Sequence, residues 1–84
     1  MEILENELLE LRFMKKDGTN SDYIDGSIEA LRFCIRKHKD NWTLEQFEND
    51  LRETIAMKVS GYYGKGIIAG LEFNIKNMEV VTNE

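Results

Sequence analysis

Cysteine is nearly absent. Cys34 is the only one in 84 residues, so no internal disulfide framework can form. Histidine is equally scarce, and one Cys with His38 cannot supply a zinc site alone. No purely apolar run exceeds three residues, which excludes a segment that reads as a membrane span. Basic charge is in short supply: 11 Lys+Arg stand against 16 Asp+Glu, for a net charge of −5. An acidic chain repels a phosphate backbone, so nucleic acid is a disfavoured partner. Glu2, Glu5 and Glu7 sit where a signal peptide would carry cations. The expected location is the cytoplasm.

What remains is 42% apolar and 32% charged, the balance of a folded soluble protein and too apolar for a disordered one. The length suits one small domain, residues 1–84, with a frayed tail expected at 80–84.

The chain also repeats. At an offset of 40, ten of 44 aligned pairs are identical. They are Leu4/Leu44, Glu5/Glu45, Leu11/Leu51, Arg12/Arg52, Tyr23/Tyr63, Gly26/Gly66, Ile28/Ile68, Leu31/Leu71, Phe33/Phe73 and Ile35/Ile75. Two readings fit: chance alignment of two amphipathic segments, or tandem duplication of a helical hairpin spanning 1–40 and 41–80.

Four helices are predicted, giving an all-α fold of two hairpins. In 2–16, Leu4, Leu8 and Leu11 share a face, with Ile3 and Met14 beside them. Acids come first and bases last, as the helix dipole favours. Asp17-Gly18 should stop this helix. In 21–39, Ile24, Ile28, Leu31, Ile35 and His38 recur at helical spacing. In 43–59, Thr43 and Gln46 form a capping box, and Trp42 can staple onto Phe47. Leu44, Phe47, Leu51, Ile55 and Val59 form the buried stripe, and Ser60-Gly61 should end it. In 62–78 the inward set is Ile68, Leu71, Ile75 and Met78. There Leu71, Phe73 and Ile75 also alternate with polar residues, and glycines weaken the helix. A C-terminal β-hairpin over 67–81 is therefore the alternative.

Gly26 and Ala30, and in the second repeat Gly66 and Gly70, place small residues one helical turn apart. Such spacing lets helix axes approach closely, within the chain or between two copies. Gly26 could equally be a loop or first-turn glycine. Alanine is expected to be tolerated at position 70, and leucine to overpack it.

No catalytic set, cofactor motif or metal site is legible. His38 lies on the apolar stripe and reads as a core-edge histidine. Cys34 reads as a small half-buried thiol. A calcium loop counted from Asp17 would need glycine at Asp22 and glutamate at Ile28, so it fails. Gly61-Tyr62-Tyr63-Gly64-Lys65-Gly66 is too short for a nucleotide loop and follows a helix. Its glycines and Lys65 could still hold an anion at a helix start. Lys65 there opposes the dipole, whereas its repeat mate Asp25 suits it. Tyr62, mated with Asp22, is an aromatic unique to the second hairpin. Tyr62, Lys65, Gly64, Gly66 and Trp42 are thus the candidate binding residues.

The segments YIDGSIEALRF (23–33) and YGKGIIAGLEF (63–73) resemble a pattern common in small uncharacterised helical proteins of Gram-positive phages and prophages. The resemblance covers about a quarter of the chain. It implies a helical, cytoplasmic, non-enzymatic protein that acts by occluding a host protein. The expected function is that of a small acidic interaction protein, binding a protein partner or a second copy through a helix face. The alternative is a small-ligand or anion binder at Gly61–Gly66.

Overall fold

The computed structural model describes residues 2–16 and 21–82. It contains four helices: α1 (Glu2–Lys16), α2 (Ser21–Lys39), α3 (Leu44–Ala56) and α4 (Gly61–Thr82). Residues 67–81 are helical throughout, so the β-hairpin alternative fails. The expected stop at Asp17-Gly18 lies outside the described residues. Of the expected tail at 80–84, residues 80–82 are helical, and 83–84 lie outside the described residues.

The α2–α4 seam organises the fold. A Cβ on Gly26 would collide with the carbonyl oxygen of Tyr63 and lie 2.9 Å from the Ile67 amide nitrogen. A Cβ on Gly66 would collide with the carbonyl oxygen of Tyr23 and lie 3.0 Å from the Ser27 amide nitrogen. Each glycine therefore receives the backbone of the other helix, and the two contacts are related by the 40-residue offset. The buried Ser27 Oγ donates to the Gly66 carbonyl at 3.0 Å. Further along, Gly70 meets Ala30, and His38 meets Asn74. Residue numbers rise together along the seam, so α2 and α4 run parallel. The helix cost of Gly66 and Gly70 is offset by contacts that only glycine permits.

α1 packs on α2 and α3 on α4. Lys15 ties α1 to α2 through Asp25 at 2.7 Å. The core holds Leu4, Leu11, Ile24, Ile28, Leu31, Cys34, Phe47, Leu71 and Ile75. Ile3 and Met14, expected beside the α1 stripe, are more than two-fifths exposed.

Trp42 joins two terminations. At the end of α2, Asn41 takes the left-handed conformation at φ 61°. Its amide donates to the His38 carbonyl, and the Trp42 amide donates to that of Lys37 at 3.0 Å. This double bond pattern is a Schellman cap. At the start of α3, Thr43 and Gln46 form both bonds of the capping box. The Trp42 and Phe47 rings lie 5.3 Å apart, which completes the staple. One residue thus closes α2 through its amide and opens α3 through its indole.

α3 ends earlier than periodicity suggests. Met57 caps it, and Lys58 turns the chain with φ 53°. The stripe expected to continue through Ile55 and Val59 is cut there, leaving Ile55 51% exposed. Gly61, with φ 79°, re-aims the chain into α4.

The expectation that alanine suits position 70 is corrected. Its Cβ would stand 2.7 Å from the Ala30 Cβ and 3.0 Å from the Ser27 carbonyl oxygen, neither of which can swing aside. Gly70→Ala should cost about 1–3 kcal/mol by overpacking. Gly66→Ala should cost more, because its Cβ meets backbone. Urea midpoints that leave either variant at the wild-type value would refute the close seam.

Candidate functional site

The residues nominated from sequence do not converge. Tyr62 and Lys65 lie on the first turns of α4, where the Lys65 ammonium sits 5.6 Å from the centre of the Tyr62 ring. Tyr62 is 59% exposed, and Lys65 is exposed as well. Gly64 and Gly66 point the other way. Gly64 is buried against Val59, whose Cβ would stand 2.9 Å from an added methyl, and Gly66 is buried against Tyr23. The Gly61–Gly66 stretch is therefore the start of a helix, not an open turn, and its last two glycines are committed to packing. They cannot wrap an anion. Trp42 lies at the far end of the seam from Tyr62, packed between Phe33 and Phe47 with Lys37 over its face. Its surroundings are structural.

The packing residues do come together. Gly26, Ala30, Gly66 and Gly70 all line the α2–α4 seam of one chain.

Two buried polar residues escaped the sequence reading, Ser27 in the seam and Asn74. Asn74 has no exposed surface, and its Oδ1 lies 2.7 Å from His38 Nε2. The His38 ring also packs on Phe47, with centroids 4.8 Å apart. Asn74 Nδ2 is buried without a hydrogen-bond partner. The available signal was the spacing Leu71, Asn74, Met78, which puts Asn74 on the inward face, and its repeat mate is Cys34. Cys34 is fully buried. Burial, with the nearby Asp50 carboxylate, pushes its thiol pKa up to about 12. A neutral, enclosed thiol is a poor nucleophile.

Two shallow grooves flank the seam. One, of about 230 Å³, lies between α1, α2 and α4 and includes Glu7, Ser27, Leu31 and Phe73. The other, of about 220 Å³, lies between α2, α3 and α4 and includes Asp50, Ile67, Leu71 and Phe33. Ser27/Ile67, Leu31/Leu71 and Phe33/Phe73 are repeat mates, so the grooves are counterparts. Each holds one carboxylate whose pKa is raised. For Glu7 the main cause is burial, followed by a hydrogen bond and repulsion from Glu10. For Asp50 it is burial, then Glu53, with Lys37 opposing. In both, burial disfavours the charged form.

With this geometry in hand, comparison with protein families, curated proteins and solved structures finds no match. Among the described residues, no helix is long and apolar enough to cross a membrane.

Two outcomes are expected. A carboxyl whose folded pKa is raised destabilises the fold above that pKa and not below the unfolded value. Glu7→Gln and Asp50→Asn should therefore raise the melting temperature at pH 7. The gain should shrink as pH falls through the raised pKa values. Melting curves from pH 7 to pH 3 check this, and a gain that persists at the acid end would contradict it. Cys34 should resist a thiol reagent in the folded chain and react once urea unfolds it.

Proposed function

We propose that this chain is a small, acidic, non-enzymatic interaction protein, and that the α3–α4 connection is its contact surface for a protein partner. One observation carries this reading. In the first hairpin, Lys15 on α1 pairs with Asp25 on α2. Their repeat mates are Ile55 and Lys65. The second hairpin has lost the ion pair, and it leaves Ile55 51%, Met57 76%, Tyr62 59% and Tyr63 45% exposed. Tyr23 is exposed like its mate Tyr63, so the difference lies at Ile55, Met57 and Tyr62, whose repeat mates are Lys15, Asp17 and Asp22. Lys65 over Tyr62 adds a cation beside an aromatic face, a composition favoured in binding hot spots. Lys65 also stands where α4 has no acidic residue in its first turn. A segment that is poorer for folding and richer in recognition chemistry supports a partner.

The resemblance to small phage and prophage proteins supports the same class, with a host protein as target. The anion-binding alternative loses support from geometry, because Gly64 and Gly66 are covered by Val59 and Tyr23.

Affinity capture from a bacterial lysate, read by mass spectrometry, tests the proposal. A stoichiometric host protein should be retained by the wild type and lost with Tyr62→Ala/Lys65→Asp. That variant should keep its helical circular dichroism and melt at the same or a slightly higher temperature. Undiminished capture by the double variant would remove this surface from the function.

A further inference from the structure

We infer that the outer face of α1 pairs, antiparallel, with α1 of a second copy. This is a different face from the α3–α4 surface, so the two stand or fall separately.

The repeat provides an internal control. Leu9 and Phe13 lie one helical turn apart on α1 and are 58% and 66% exposed. Their mates on α3, Asn49 and Glu53, are exposed too, and both are polar. The fold therefore does not require apolar residues at these positions. Large apolar side chains held in water where the sister helix carries Asn and Glu call for a cover from outside the chain.

Charge selects the cover and its direction. α1 carries Glu2, Glu5, Glu7 and Glu10 ahead of Arg12 and Lys15. A parallel copy would set like charges side by side. An antiparallel copy sets the acidic part of each helix against the basic part of the other. With Leu9 facing Leu9 of the second copy, Glu5 comes within one residue, about 1.5 Å along the axis, of the level of Arg12 of that copy, and the reverse pair forms by symmetry. Glu5 and Arg12 are two turns apart, on one flank of the Leu9–Phe13 stripe. The symmetric pair is closed, so it makes dimers and not fibres.

Size sets the strength. A 15-residue helix is about 22 Å long and offers about half of the roughly 800 Å² per partner found in stable interfaces. The dimer should be weak and concentration-dependent.

Sedimentation equilibrium on the full chain at low salt tests this. The mean mass should rise with concentration from 9.8 kDa toward twice that value, and high salt should reverse the rise. Leu9→Asn/Phe13→Glu, which copies the α3 residues onto α1, should stay monomeric and keep its melting temperature. Arg12→Glu should weaken the dimer several-fold. Glu5→Arg/Arg12→Glu should restore it, because the swapped charges face each other again. A wild type that stays monomeric at its highest soluble concentration overturns the inference. So does a dimer indifferent to Leu9→Asn/Phe13→Glu, or a charge swap that fails to restore. If the chain is monomeric and this variant loses capture of a host protein, the face belongs to that protein. The interaction reading then survives and self-pairing does not.

Discussion

Two glycines seated against each other's helix backbones hold this protein together. Gly26 receives the Tyr63 carbonyl, and Gly66 receives that of Tyr23. Because α2 and α4 approach so closely, α1 and α3 can each pack on one inner helix and still share a core. Leu31, Leu71 and Phe47 are nearly or fully buried in a chain of this length only because the seam brings both hairpins to one centre. Backbone-to-backbone approach also explains why the contact is intolerant. A side-chain contact can relax by a rotamer change, whereas a carbonyl oxygen within a helix cannot.

The two hairpins share a frame and differ in their outer chemistry. Most positions where they agree make the seam and the core, among them Tyr23/Tyr63, Gly26/Gly66 and Leu31/Leu71. One of their differences on the inside is a polar substitution. Asn74 stands for Cys34 and bonds to His38. Its unpartnered amide nitrogen costs about 1–3 kcal/mol, so the pair gives alignment of the two helices more than stability. Where they differ on the outside, one copy turns apolar: Leu9 and Phe13 on α1, Ile55 and Tyr62 beside the α3–α4 connection. Each hairpin serves as the reference against which the other's departures can be read.

Much of the architecture was legible because its signals are local. Caps, staples and the spacing of Leu4, Leu8 and Leu11 depend on neighbours within a turn or two, and α1 and α2 begin and end where periodicity places them. α3 escaped because a left-handed Lys58 ended it early, and no sequence rule favours lysine in that conformation. The strand-like alternation at Leu71, Phe73 and Ile75 only kept a β-hairpin alternative open, because sequence does not show that Asn74 is buried beside His38, 36 positions away. The candidate site was legible only in part. Tyr62 and Lys65 are surface residues, as their chemistry suggests. Gly64 and Gly66 read as a ligand cradle because sequence cannot show that Val59 and Tyr23 already fill it. Trp42 read as a recognition aromatic because the staple and the α2 cap meet on one residue only in three dimensions.

The connection between the hairpins carries a consequence for assembly. The Ser27–Gly66 hydrogen bond spans 39 positions, so the seam closes across nearly half the chain and forms after the local turns. In that interval each hairpin exposes an unmatched inner helix, and it could dock on the opposite hairpin of another molecule as readily as on its own. Such exchange requires the segment at 40–43 to straighten. Straightening would break the Schellman bonds at Asn41, lift Trp42 off Phe47 and open the capping box at Thr43, all at once. The rigidity of that corner commits each chain to its own seam and guards the monomer fold against exchange of whole hairpins.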